Sequence, residues 1–290
     1  MSWYRSMPYI AILRPKQWTK NLLVFAALIF SIKIVTVDML VRCIGGFILF
    51  CLVSGCVYVL NDYIDRDDDR KHPEKKYRPI ASGKLKPRSA LIFGCLLLCT
   101  SLALAWVLDI WFSVLLLGYF IINVAYSIKL KQIVIIDIMV IAFGFVLRAI
   151  GGGLVIGIDF TPWFLLCTML LALFLAISKR RHELYLFSEH KGDHRKVLEQ
   201  YSPELLNQLN SIVTTAAIMS YSLFTFTSGH TVHLMWTIPL VMYGIFRYLY
   251  LIHIKGKGGR PEEILLEDSH ILATVILFAV LVVIILYYFE

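Results

Sequence analysis

The sequence predicts an all-α integral membrane protein with nine transmembrane helices, and three observations carry that expectation. Of its 290 residues, 59% are hydrophobic and 17% charged, with a mean hydropathy of +0.74. A water-soluble core of this size could not bury so much apolar surface. Apolar stretches of helical span length recur along the whole chain, where a β-barrel would show short alternating strands. The connections between them also alternate, one rich in Lys and Arg, the next nearly free of them.

The spans fall near residues 21–36, 39–60, 90–108, 111–128, 133–155, 163–178, 211–228, 234–253 and 270–289. Residues 1–290 then form a single transmembrane domain, with loops near 61–89, 179–210 and 254–269. The first twenty residues mix bases and aromatics around a short apolar patch and have no small-residue cleavage site, so a removable signal peptide is not expected. Bases cluster at Arg5, Arg14, Lys16 and Lys20, from Arg66 to Arg88, at Lys129 and Lys131, from Lys179 to Lys196 and from Lys255 to Arg260; Lys33 and Arg42 fall on the other side. The excess of bases places the N-terminus and the long loops in the cytoplasm, in a multi-pass protein of the cell membrane. The net charge of +8 then points to anionic headgroups or anionic substrates, not nucleic acid. The six cysteines, Cys43, Cys51, Cys56, Cys95, Cys99 and Cys167, all sit in apolar segments with no CxxC pair. They read as packed thiols.

The stretch "NDYIDRDDDRKHPEKKYRPIASG", residues 61–83, follows the second span directly. If the helix continues, an advance of about 100° per residue puts Asn61, Asp62, Asp65, Asp68 and Asp69 within one arc, with Asp67 behind. Carboxylates so placed repel one another unless a cation neutralises them, and Mg²⁺ accepts one or two of them plus phosphate oxygens. A solvated loop pairing with itself is the plainer reading; the helical register and the position at the membrane surface favour a magnesium diphosphate site. Arg70, Lys75, Lys76, Arg78 and Lys84 follow as bases for the phosphate oxygens.

Ionisable residues at membrane depth face a pocket or a partner. Asp137 and Arg148 lie eleven residues apart in the fifth span, nearly three turns, and are expected to line one polar cleft or to act as a stabilising pair. Arg247 is a weaker candidate. Tyr126, Lys129 and Lys131 close the fourth span. "SKRRHELYLFSEHKGDHRKVLEQYSPE", with Lys179, Arg180, Arg181, Glu183, His194, Arg195 and Tyr201, reads as a phosphate-binding lid or a surface helix. Gly151, Gly152 and Gly153 read as close packing. There is no Walker A loop, no Thr-Gly-x-Thr turn of the soluble phosphoribosyltransferases and no Gly-x-Ser-x-Gly elbow, so helices must build any sugar-phosphate site.

Asn61-xxx-Asp65-xxx-Asp69, the "RPIASG" that follows, "AYSIKLK" and the nine spans together resemble the UbiA superfamily of intramembrane prenyltransferases. The resemblance implies a ring of nine helices around a central cavity and Mg²⁺ at Asn61, Asp65 and Asp69. "SKRRHEL" stands where aromatic prenyltransferases carry a second aspartate-rich motif, which implies a changed substrate. "LRPKQWTKN", "DRKHPEKKYRPIASG", "LRAIGGG", "SKRRHEL", "LEQYSPELL" and "FRYLYL…PEEILLED" resemble the decaprenyl-phosphate phosphoribosyltransferase subfamily. That implies transfer of 5-phosphoribose from 5-phosphoribosyl 1-diphosphate to a polyprenyl phosphate. Asp65, Asp69 and Asp62 would be catalytic. Lys20, Lys75, Lys76, Arg78, Lys84, Tyr126, Lys131, Asp137, Arg148, Lys179, Arg180 and Glu183 would bind substrate. A homo-oligomer stays open, as do two alternatives: a UbiA-type aromatic polyprenyltransferase using a prenyl diphosphate, and a transporter or scaffold that holds anionic lipid.

Overall fold

The computed structural model describes residues 7–30, 35–72, 75–189, 196–256, 264 and 267–289. Among them there is no β-strand, and eight helical segments are long and apolar enough to cross a membrane. They contain α1 (Val37–Ile64), α2 (Pro87–Leu108), α3 (Ile110–Ile128), α4 (Ile136–Ile156), α5 (Pro162–Glu189), α6 (Pro203–Thr227), α7 (Ile238–His253, of membrane length only with the turn before it) and α8 (Ser269–Phe289). A 3-10 turn, Val232–Thr237, leads into α7.

The helix starts follow from local chemistry. Thr36 accepts from the Met39 N–H at 3.2 Å to open α1, Asp109 from Phe112 N–H at 2.7 Å to open α3, and Ser202 from Leu205 N–H at 3.1 Å to open α6; each side chain satisfies one of the free donors of a first turn. Asp109 is extended, so α2 and α3 turn back on each other through a single residue. Consecutive long helices pack side by side, and α8 returns to residues 26–30, which also touch α1 and α4. The bundle is therefore a closed ring.

Two expected boundaries differ. The span expected at 21–36 is a 3-10 stretch, Pro15–Phe25, followed by a short helix, Ala26–Phe30; residues 31–34 and Lys33 lie outside the described residues. Its geometry follows from packing. Asn21 is turned inward and buried, and the Val24 carbonyl presses on Gly152 so closely that a Cβ there would lie 2.1 Å from the oxygen. The loop expected over 179–210 is mostly helix: α5 runs on to Glu189 and α6 begins at Pro203, while His194 and Arg195 fall outside the described residues. At 1.5 Å per residue the 28 residues of α1 and of α5 exceed a ~30 Å core by roughly two turns. Their polar ends are carried toward the surface.

Glycine spacing does what the sequence suggests. A Cβ on Gly151 would meet Phe50 at 3.0 Å and one on Gly153 would meet the Ile158 carbonyl at 2.4 Å. Arg42 donates to the Val155 carbonyl at 2.7 Å and to the Leu108 carbonyl at 2.9 Å, which ties down the ends of α4 and α2. Arg247 pairs with Asp268 at 2.8 Å, a strap between α7 and the start of α8.

Candidate active site

The end of α1, the start of α2, the end of α3, the start of α4, the end of α5 and the start of α6 share one end of the ring. Two groups of the ionisable residues singled out in the sequence meet there, and a third group lies deeper.

The first group is the acid row. Backbone bonds run from Asp65 N–H to the Asn61 carbonyl at 2.9 Å and from Asp69 N–H to the Asp65 carbonyl at 2.8 Å, so helical bonding crosses the break between Ile64 and the short helix Arg66–Lys71. Asp62 and Asp69 are buried and Asp65 is half-buried, while Asp67 and Asp68 are exposed. Asp68 therefore leaves the face the helical arc gave it. Each inward acid meets a base. Asp62 is held by Arg14 and lies 3.2 Å from Arg78, Asp69 is 2.6 Å from Arg78, and Asp65 is 2.9 Å from Lys131.

Arg14 comes from the N-terminal segment, with its guanidinium over the Tyr58 ring at 4.7 Å. Its backbone is left-handed at φ 52, an uncommon conformation for a side-chain-bearing residue. Ile12, Leu13, Val59, Ile80, Leu85 and Ala90 form the apolar cluster beneath, which fixes the N-terminal segment and the "RPIASG" turn against α1.

The second group crosses three helices. Arg180, 1% exposed, donates to Asp137 Oδ2 at 2.6 Å and to Glu183 Oε2 at 2.6 Å, and lies 3.5 Å from the Tyr126 hydroxyl. Tyr201 donates to Asp137 Oδ1 at 2.7 Å and accepts from Ile135 N–H at 2.8 Å. Ile135 has φ 70, strained for a β-branched residue. Among the described residues it and Arg14 are the only non-glycine residues with positive φ; both border this end of the ring.

The third group lies deeper. Arg148 donates to Asn21 Oδ1 at 2.7 Å, to the Gly144 carbonyl at 2.7 Å and to the Tyr119 hydroxyl at 2.8 Å, with Tyr119 and Phe145 ring centroids 5.1 Å away. Asp137 and Arg148 thus do not pair with each other: each is held by its own partners. Near three turns of helix, about 16 Å, separate them along α4.

The other candidate bases are placed more openly. Lys75, Lys76 and Lys84 are exposed and Lys20 and Lys179 half-buried, with Lys76 against the Tyr77 ring. Arg181 bonds Asn207 at 2.8 Å instead of facing the acid row. Sequence reasoning read Arg14 only as a topology base and gave Asn21 and Tyr119 no part; nothing local to those residues marks the contacts they make.

Among the described residues no three His, Cys, Asp or Glu side chains gather closely enough to hold a metal by themselves. The donor chemistry still fits a magnesium ion that completes its shell with phosphate oxygens. The ligands are hard oxygens, and Asp62 Oδ2 is buried without a hydrogen-bond partner, an acceptor left over by the protein.

A ring of membrane-length helices with a carboxylate row and bases at one end defines a helical intramembrane protein with one charged candidate site. The profile of the UbiA prenyltransferase family matches residues 19–262, and the chain belongs to that family. It is 33% identical to the decaprenyl-phosphate phosphoribosyltransferase of Mycolicibacterium smegmatis, over 89% of this chain and 86% of that protein. It is 33% identical to the decaprenyl-phosphate phosphoribosyltransferase of Corynebacterium glutamicum, over 90% of this chain and 81% of that one. A UbiA homologue from Archaeoglobus fulgidus, solved with DMAPP and Mg²⁺, shares the fold with a TM-score of 0.73 over 97% of this chain and 99% of that one, at 20% identity.

Proposed function

We propose that the protein transfers 5-phosphoribose from 5-phosphoribosyl 1-diphosphate to a polyprenyl phosphate, decaprenyl phosphate or a similar lipid, and releases diphosphate. The observation that carries this is the 33% identity across 89% of the chain to an enzyme named for that reaction. The Arg180 layer supports it: where a prenyl-diphosphate enzyme would carry a second acid cluster, this chain centres a buried arginine on Asp137 and Glu183.

Asn61, Asp65 and Asp69, with Asp62 beside them, would hold Mg²⁺. Bound there, the ion supplies charge neutralisation for the departing diphosphate. The bond between ribose C1 and the diphosphate oxygen breaks, and a bond from the lipid phosphate oxygen to C1 forms. That oxygen is already anionic, so no residue need remove a proton. Arg78 and Lys131, which already contact the acid row, and the exposed Lys75, Lys76 and Lys84 would grip the diphosphate and the ribose 5-phosphate. Lys20 and Lys179, half-buried, are candidates for the lipid phosphate. Arg180, Asp137, Glu183 and Tyr126 would contact substrate from the second group, and Arg148, tied to Asn21, from the deeper one. The polyprenyl tail lies along the apolar helix faces, and the site opens toward the cytoplasm, where the bases concentrate.

The test is mass spectrometry of the lipid fraction after purified protein, Mg²⁺, 5-phosphoribosyl 1-diphosphate and decaprenyl phosphate are combined. Decaprenyl phosphate heavier by one 5-phosphoribosyl group is expected. An unchanged lipid, with prenylation of 4-hydroxybenzoate when a prenyl diphosphate is supplied, overturns the reading in favour of aromatic prenyl transfer.

A further inference from the structure

We propose that Arg78 and Lys131 are exchangeable counter-cations. They neutralise Asp69 and Asp65 while the site awaits its ligand and move to phosphate oxygens when metal and diphosphate arrive together, which makes metal binding depend on diphosphate. The inference rests on the reading that a magnesium diphosphate occupies the acid row, and adds how the site admits it.

Three inward carboxylates, Asp62, Asp65 and Asp69, face three cations, Arg14, Arg78 and Lys131. Among the described residues these three pairs balance. A bare divalent ion would meet bases already on the oxygens it needs and would bring two more positive charges into a neutral, partly desolvated site. A metal diphosphate brings net negative charge instead. The same two bases then have new acceptors and need not return to water unpaired.

The three cations are about equally exposed, Arg14 at 25%, and differ in what anchors them. Arg78 Nη1 is shared between Asp69 at 2.6 Å and Asp62 at 3.2 Å, and its side chain is 23% exposed. Lys131, on the 3-10 turn Leu130–Gln132, is 21% exposed and bonds both oxygens of Asp65, at 2.9 and 3.2 Å. Both are long, flexible side chains that are not fully buried. Arg14 is anchored by the Tyr58 ring and by an apolar cluster around Leu13. It stays on Asp62 when Arg78 leaves, so the deepest acid never stands alone.

The experiment is Mn²⁺ binding followed by electron paramagnetic resonance in detergent-solubilised protein, with and without inorganic diphosphate, for wild type, Arg78→Gln and Lys131→Gln. Binding lost in an Asp65→Asn/Asp69→Asn double variant counts as site binding. Wild type is expected to bind Mn²⁺ alone weakly and at least about tenfold tighter with diphosphate; each Gln variant is expected to bind Mn²⁺ alone about tenfold tighter than wild type and to gain less from diphosphate. Lys131→Gln touches only Asp65, so it keeps the test open if Arg78→Gln fails to fold. Folded variants that bind Mn²⁺ alone no better than wild type, beside a wild type that responds to diphosphate, overturn the exchange and leave the site standing. A wild type with no site binding under either condition overturns the metal-diphosphate reading itself.

Discussion

The hydroxyl of Tyr201 donates to Asp137 Oδ1 at 2.7 Å, joining the residue just ahead of α6 to the first turn of α4. The Tyr201 hydroxyl oxygen in turn accepts the N–H of Ile135 at 2.8 Å, so one phenol holds both the carboxylate and the strained residue that starts the helix. Burial first, then the hydrogen bond to Asp137, pushes the Tyr201 phenol above its ordinary range.

Tyr201→Phe should therefore destabilise the protein by about 1–3 kcal/mol near neutral pH, since it leaves the Ile135 N–H unpaired and removes a donor from Asp137. The fold prefers the neutral phenol. Its stabilisation is fully present below the ordinary tyrosine pKa of about 10 and is lost as pH rises through the higher folded value. Thermal unfolding in detergent should show the gap between variant and wild type narrowing above about pH 10; a gap constant with pH would count against the assignment.

Arg180→Ala should cost about 3–5 kcal/mol, because it leaves Asp137 buried without its cation. Arg180→Lys should recover only part of this: a single ammonium cannot reproduce a planar fork that serves Asp137 and Glu183 from different nitrogens. Unfolding midpoints of the two variants, compared with wild type, check the order.

Gly152→Ala forces a methyl to within 2.1 Å of the Val24 carbonyl, a backbone atom that cannot step aside. The expected cost is about 3 kcal/mol or more. Gly118→Ala, with nothing within 4 Å of the added carbon, should be neutral or slightly stabilising by helix propensity. Unfolding of the pair separates packing from any general intolerance of the bundle.

Asp65→Ala and Asp69→Ala should each lower the transfer rate by about 10²-fold or more, the scale of losing a group that stabilises developing charge. EDTA should abolish turnover and added Mg²⁺ restore it. Initial rates of lipid labelling measure both.

The acid row was legible because its information is local: Asn61, Asp65 and Asp69 repeat every four residues, and helical bonding delivers them to one side. Hydropathy also located α1 to α4, α7 and α8 to within about four residues, and the end of α6, but put the start of α6 eight residues late. The end of α5 was hidden because hydropathy falls over Lys179–Glu183, although Lys, Arg, Glu and Leu are good helix formers. The broken first segment was hidden for a different reason: Asn21 and Val24 take their geometry from Arg148 and Gly152, more than 120 residues away. Arg180–Asp137 and Tyr201–Asp137 span 43 and 64 residues. Periodicity within one helix could put Asp137 and Arg148 on a common face but could not say that neighbours from α5, α3 and the N-terminal segment had claimed them separately.

The most direct test of the account supplies purified protein with 5-phosphoribosyl 1-diphosphate carrying ¹⁴C in the ribose and ³²P in the terminal phosphate, together with decaprenyl phosphate and Mg²⁺. ¹⁴C is expected in the lipid phase and ³²P in water as inorganic diphosphate, in equal amounts and only with Asp65 and Asp69 intact. Both labels remaining together in water, or both entering the lipid, would contradict it.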